Sequence, residues 1–327
     1  MNRPATGKPL NWARLGESYA LLVAMVVLFC IFGFALPKTF PTWGNVSTML
    51  GSQAVLVFLT LALIVPLTSG DFDMSVAAVL TMAAMLIAIL NARLGVSLLL
   101  AIPVALVVGL LVGVVNAFFI LYFRIPSLIV TLGTGTFVNG IVLWISNSAT
   151  IGGIDFALVM WVVGTRLFGI PLAFYYAIGM ALLIWYVFGY TAAGRRLLFV
   201  GRGREVARLS GIPVDRVRAA ALLTSSFIAA LAGVLYAGTI GAADPNSGNS
   251  FLLPAFAAAF LGATAITPGR FNPMGSVVAV YFIVIGITGL TMLGIQSYVQ
   301  NLFYGGALVT AVALSQLVRK REPQDFN

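Results

Sequence analysis

Histidine is absent from this 327-residue chain, and cysteine occurs once, as Cys30 inside an apolar run. The commonest metal ligand and general base is therefore missing. A single thiol supports neither a disulfide framework nor a thiolate metal site. Charge is scarce as well: 8% of the residues are Asp, Glu, Lys or Arg, against about 25% in a soluble domain. That shortage excludes an ordinary water-soluble globule. The only lysines are Lys8, Lys38 and Lys320, and none stands in the Gly-x-x-x-x-Gly-Lys-Ser/Thr context that holds nucleotide phosphates. ATP hydrolysis by this chain is not expected, and no catalytic residue or metal site is assigned.

What fills the chain is apolar: 61% of residues are hydrophobic, in long runs between sparse charges. A helix crossing the ~30 Å hydrocarbon layer needs ~20 mostly apolar residues, and such runs recur throughout. The expected fold is an all-α polytopic membrane protein forming one domain over 1–327. About ten helices are predicted, near 19–36, 46–66, 74–92, 96–121, 127–146, 171–189, 217–240, 251–266, 274–293 and 299–318, with a polar break at 294–297. The first run is read as a helix rather than a signal peptide, being long for one and closed by no small-x-small site.

Lysine and arginine favour the cytoplasmic side. With both termini inside, Arg3, Lys8, Arg14, Arg124, Arg195, Arg196, Arg202, Arg204, Arg208, Arg216, Arg218, Arg270, Arg319, Lys320 and Arg321 are cytoplasmic, and only Lys38, Arg93 and Arg166 lie outside. The net charge of +9 thus orients the chain in the bilayer and does not indicate nucleic acid. The connection 190–218 holds seven arginines and cannot be membrane. In the outer connection 147–170, the short apolar stretch 156–164 reads as a surface helix. The segments Thr68-Ser69-Gly70-Asp71-Phe72-Asp73 and Thr267-Pro268-Gly269-Arg270-Phe271-Asn272 are similar and lie six crossings apart, which indicates two parallel four-helix repeats.

Within 190–218 the letters between Gly203 and Gly211 fit a short helix, with Val206 and Leu209 on one face and Arg204 and Arg208 on another. Gly211 suits a left-handed cap, and Pro213 stops continuation. A capped helix in a basic loop is either a docking knob or a solvated positive-inside loop.

Glu205-x-Ala207-Arg208-Leu209-Ser210-Gly211-Ile212, after Thr191-x-x-Gly194-Arg195, resembles the monosaccharide (ribose-type) permeases of bacterial ABC importers. Ser69-Gly70-x-x-Asp73-x-Ser75-Val76, Thr131-Leu132-Gly133-Thr134 and Leu261-Gly262-Ala263-Thr264 add to the resemblance, which runs from about residue 20 to about 318. It implies a permease homodimer in the bacterial inner membrane, a cytoplasmic ABC ATPase that binds ATP and Mg, and a periplasmic or lipid-anchored sugar-binding protein. The coupling loop it implies comprises Arg204, Glu205, Val206, Ala207, Arg208, Leu209, Ser210, Gly211 and Ile212. The chain departs from the family at Asp71, an added carboxylate, at the turn 266–271, usually richer in glycine, and at Asn139, where arginine is common.

Uncharged polar groups suit a sugar path, because hydroxyls need donors and acceptors without net charge. Candidate path residues are Ser69, Asp71, Asp73, Asn116, Thr131, Thr134 and Asn139. Thr136, Ser225 and Ser226 are of the same kind. Asp73 also suits a helix cap, and the others suit interhelical hydrogen bonds. Gly109-x-x-x-Gly113 and Gly233-x-x-x-Ala237 read as close packing. Two other readings stay open: a permease for branched amino acids or nucleosides, and an ATP-independent secondary carrier. The ten predicted helices carry no Asp, Glu, Lys, Arg or His in their middles, which disfavours an ion-coupled carrier.

Overall fold

The computed structural model describes residues 12–296 and 298–321; Arg3, Lys8 and Ser297 of the expectations above lie outside the described residues. Apolar segments in lipid must satisfy every backbone amide internally, and helix accordingly dominates. The helices are α1 (Trp12–Ala35), α2 (Trp43–Ser52), α3 (Ala54–Thr68), α4 (Val76–Ala88, continued by a π-helical turn Ile89–Arg93), α5 (Leu98–Tyr122), α6 (Ser127–Ser146) and α7 (Phe156–Val159, continued by a π-helical turn Met160–Gly164). They are followed by α8 (Leu172–Tyr190), α9 (Ala192–Arg202), α10 (Arg204–Leu209), α11 (Val214–Ile240), α12 (Asn249–Gly262), α13 (Pro273–Met292) and α14 (Tyr298–Arg321). Two tiny antiparallel pairs, β1 (Ile151–Gly152) with β4 (Ala242–Ala243) and β2 (Arg166–Leu167) with β3 (Ile170–Pro171), tie connections together.

Among the described residues, eight stretches are long and apolar enough to cross a membrane: α1, α2 with α3, α4 with its π turn, α5, α6, α8, α11 and α13. The two remaining expected crossings fall on α12 and α14. α12 has 14 residues, about 21 Å at 1.5 Å per residue, too short for a full crossing. Its start explains the shortfall. The Gly248 amide donates to Thr81 Oγ1 at 2.9 Å, so the connection after α11 turns into the bundle and α12 begins beside α4. The expected helix 46–66 is broken at Gln53 into α2 and α3, and Gly51 lies against the Pro171 ring. The stretch 156–164 is helical and packs on one face: Leu158 and Val162 are buried, with Gly238 of α11 accommodating both, while Phe156 and Trp161 are exposed.

α3 is apolar on every side and all fifteen of its residues are buried, as expected of a helix with no polar face. α11 runs beside it against α4 and α5. Small residues permit these crossings. A Cβ on Gly109 would stand 2.6 Å from Ala230 Cβ, one on Gly113 would stand 2.8 Å from Ser226 Oγ, and Gly233 meets the Leu80 carbonyl and Ala83. Both predicted small-residue pairs therefore sit at or beside α11 contacts.

Candidate functional site

The connection 190–218 is more structured than a solvated loop. Thr191 Oγ1 accepts from the Gly194 amide at 3.2 Å and starts α9, as an N-cap side chain does. Leu197 and Val200 of α9 face inward while Arg195, Arg196 and Arg202 are exposed. Gly201 rests directly on the Thr68 carbonyl, where no side chain would fit. Extended backbone at Gly203 (φ −176°) then breaks the chain before α10. Gly211 adopts φ +78°, and the Ile212 amide donates to the Ala207 carbonyl at 3.0 Å, which completes a left-handed cap.

The residues of 204–212 divide into two sets. Ala207 is buried against Val200 and Val214, with Ile212 beside it, so the short helix has a small core of its own. Val206 and Leu209 face out, Leu209 being 88% exposed. Glu205 Oε1 accepts from Arg208 at 3.3 Å on the surface, and Ser210 Oγ donates to the Val206 carbonyl at 2.9 Å. Arg204 turns the other way, toward the connection between α3 and α4. Its Nη2 donates to Asp71 Oδ1 at 3.0 Å and to the Gly70 carbonyl at 2.9 Å, and lies 3.3 Å from the Ser69 carbonyl.

Asp71 is the centre of this contact. It is 1% exposed, and Arg218 grips it with two bonds, Nε to Oδ2 and Nη2 to Oδ1, each 2.7 Å. A buried carboxylate needs such compensation. Ser69 Oγ donates to the Pro66 carbonyl at 2.9 Å and lies 3.4 Å from Asp71 Oδ2.

Two residues on, Asp73 is fully buried. Its Oδ1 accepts from the Ser75 amide (3.1 Å) and hydroxyl (2.6 Å), and its Oδ2 accepts from Ser225 Oγ (2.9 Å). It thus helps to start α4 and ties that turn to α11. Burial pushes the Asp73 carboxyl up from its ordinary range, against the opposing hydrogen bonds from Ser75 and Ser225. The relay continues outward: Asn116 Nδ2 donates to Ser75 Oγ at 2.8 Å, and Thr134 Oγ1 donates to Asn116 Oδ1 at 2.5 Å. Thr131 Oγ1 accepts from the Met74 amide at 3.0 Å, and Ser127 Oγ accepts from the Phe72 amide at 3.0 Å.

Of the path candidates, Ser69, Asp71, Asp73, Asn116, Thr131 and Thr134 are brought together, each with a protein partner. Asn139 stands apart, half-buried, with no side-chain hydrogen bond among the described residues. Thr136 bonds only to the Leu132 carbonyl, at 2.9 Å, and the buried Ser226 hydroxyl has no partner among the described residues. Arg218 and Ser75 join this network although neither is among the path candidates. A carboxylate flanked by two apolar helices must find a cation, and the arginine-rich connection was the nearest supply; that signal points to Arg218. A cavity of about 570 Å³ opens beside this turn, with Asp71, Arg124, Ser127, Arg204, Arg208 and Arg218 in its lining. No cluster of three or more metal-ligating side chains occurs among the described residues.

The family model for branched-chain amino acid transport system / permease component matches residues 45–312. The D-allose transport system permease protein AlsC of Escherichia coli is 29% identical over 313 residues, 96% of each chain. The autoinducer 2 import system permease protein LsrD of Photorhabdus laumondii is 30% identical over 306 residues, 91% of each chain. The L-arabinose transport system permease protein AraH of Escherichia coli is 29% identical over 316 residues, 95% of this chain and 94% of that one. No solved structure matches. The matched segment takes in the apolar helices, the polar turn and α10 together, and the chain belongs to the branched-chain amino acid transport system / permease component family as a multi-pass permease of the inner membrane.

Proposed function

We propose that this chain is the membrane-spanning subunit of an ATP-driven importer for a monosaccharide or a closely related polyol. Relatives named for allose and arabinose transport support the substrate class. The observation that carries the reading is α10: a capped helix with its own small core that leaves Val206 and Leu209 uncovered at the arginine-rich end. An apolar pair held outward on a rigid, basic support is suited to a protein partner. In this reading a cytoplasmic ABC ATPase, which binds ATP and Mg, docks there. A periplasmic or lipid-anchored sugar-binding protein delivers substrate at the opposite end, and two copies of the permease enclose the path. The bonded residues Ser69, Asp71, Asp73, Asn116, Thr131 and Thr134 border that path as a frame, and Asn139 is the one with an amide left to meet a hydroxyl.

The test is reconstitution of the permease in proteoliposomes with its ATPase and binding protein. Uptake of a monosaccharide should require ATP and all three components. Replacing Val206 and Leu209 with Asp should leave the permease folded and abolish uptake, because an unpaired charge would be buried at the docking face. Uptake by the permease alone, driven by an ion gradient, would overturn the proposal in favour of a secondary carrier.

A further inference from the structure

We infer that Asp71 links α10 to the membrane core, so that displacement of α10 is carried into the bundle through the Arg204–Asp71–Arg218 triad. The inference rests on the docking reading of α10 and adds the element that receives its motion.

Arg204 belongs to α10 and Arg218 to α11, while Asp71 sits in the connection between α3 and α4. One carboxylate thus joins three elements. The two arginines hold it unequally: Arg218 makes the paired 2.7 Å contacts with a side chain 13% exposed, whereas Arg204 makes one 3.0 Å contact with a side chain 40% exposed. Arg218 therefore neutralises Asp71 in place, and Arg204 is the releasable arm. That arm does not bind Asp71 alone, since the same Nη2 donates to the Gly70 carbonyl. Moving α10 away must break bonds to the turn itself or pull the turn with it.

The turn, in turn, cannot move alone. Asp73, two residues from Asp71, is bonded to Ser75 and to Ser225 of α11; Ser75 is bonded to Asn116 of α5, and Asn116 to Thr134 of α6. Short charge-assisted bonds at one end and a buried relay at the other make a continuous physical connection from an exposed helix to four membrane helices. Asp71 and Arg204 act here as positioning residues.

Arg204→Met removes the arm while leaving Asp71 paired with Arg218. The permease carrying it, reconstituted with ATPase and binding protein, should melt near the wild-type temperature, bind the ATPase in wild-type amount and hydrolyse ATP. Uptake per ATP should fall roughly tenfold, within the range of ordinary coupling energies. Arg204→Lys keeps a cation toward Asp71 and should retain roughly half of the coupling. Arg270→Gln, at the position of the second turn that corresponds to Asp71, should keep the wild-type ratio. A wild-type uptake-to-ATP ratio in Arg204→Met overturns the inference, as does loss of ATPase binding, which would make Arg204 a docking contact. If Arg204→Met fails to fold, Arg204→Lys and Asp71→Asn decide: unchanged coupling in both rejects the link. The Val206 and Leu209 Asp variant in the same assay separates the two readings. Normal coupling in that variant rejects docking at α10, whereas its failure alongside normal coupling in Arg204→Met rejects the triad alone.

Discussion

Thr68–Asp73 and Thr267–Asn272 carry similar residues, and each turn places its glycine in the left-handed region, Gly70 at φ +79° and Gly269 at φ +85°. Each is followed by a polar side chain that accepts an amide where the next helix starts: Asp73 Oδ1 from Ser75, just before α4, at 3.1 Å, and Asn272 Oδ1 from Gly275 in α13 at 2.6 Å. The shared plan ends there. The first turn buries two carboxylates and bonds them to α10, α11 and, through Ser75, to α5 and α6. In the second, Arg270 is exposed, and Asn272 Nδ2 bonds only to nearby carbonyls, those of Gly262, Ala265 and Arg270. The contacts that close the turns differ too. Gly201 of α9 lies on the Thr68 carbonyl from outside, whereas Gly262 and Gly275 lie on each other within the second turn. One backbone device has been fastened to the arginine-rich connection, whereas its counterpart is tied to α1, where the Ile266 amide donates to the Ser18 carbonyl at 2.8 Å.

The largest effect that breaks this contrast is expected from removing the arginine that pairs with the first turn and the arginine that stands in the second. Arg218→Ala leaves Asp71 as a buried charge without its main partner and should lower stability by about 3–5 kcal/mol. Arg270→Ala, at an exposed site, should stay within about 0.5 kcal/mol. Thermal unfolding of both in one detergent gives the comparison, and equal losses would mean that the first turn is no more dependent on charge than the second.

Next comes the glycine that seats α9. Gly201→Val forces a side chain against the Thr68 carbonyl and should cost about 1–3 kcal/mol through backbone displacement. It should also loosen the 190–202 segment, read as faster amide exchange there than in the 263–272 turn. A smaller effect follows from Asn272→Ala, which removes a cap and should cost about 1 kcal/mol, with exchange raised at the start of α13 and unchanged at α4.

The smallest effect is a pH slope confined to the first turn. Folded Asp73 holds its proton to higher pH than the ordinary value of 3.8. The folded state therefore binds more protons than the unfolded state in that window, and this group's contribution to stability is lost as pH rises above about 4. Asp73→Asn cannot titrate. The melting temperature of wild type relative to Asp73→Asn should decline with rising pH over that window, and a rising difference would contradict the assignment. Asn272→Asp in the second turn, which is less buried, should give a weaker slope.

Much of the frame was legible because bilayer physics writes it into composition: runs without charge, flanked by arginine, name their own helices. The short helix between Gly203 and Gly211 was legible from Val206, Leu209 and the glycine cap. Helix lengths were less so. α12 is short because Gly248 meets Thr81, a contact between residues 167 apart in sequence, which local periodicity does not encode. The polar set Asn116, Thr131 and Thr134 is legible from residue type, as is its suitability for interhelical hydrogen bonds, but the particular partners are not, since they come from α5, α6 and the turn before α4. Asn139 is of the same residue type and on the same helix as Thr134, yet it lies outside the network that the three-dimensional packing builds. Spacing puts Arg204 on a face of the short helix away from Val206 and Leu209, but its bonds to Asp71 and the Gly70 carbonyl join segments more than 130 residues apart and are not encoded locally.

The claim on which the account turns is that α10 faces the cytoplasm and carries the ATPase. Cys30 is exposed, so the measurement begins from a Cys30→Ser chain with one new cysteine, Leu209→Cys, and a second chain with Thr165→Cys at the opposite end. An impermeant thiol reagent should label Thr165→Cys in intact cells and Leu209→Cys only in inverted vesicles, and bound ATPase should protect Leu209→Cys. Labelling of Leu209→Cys from outside, or undiminished labelling in the presence of bound ATPase, would contradict the account.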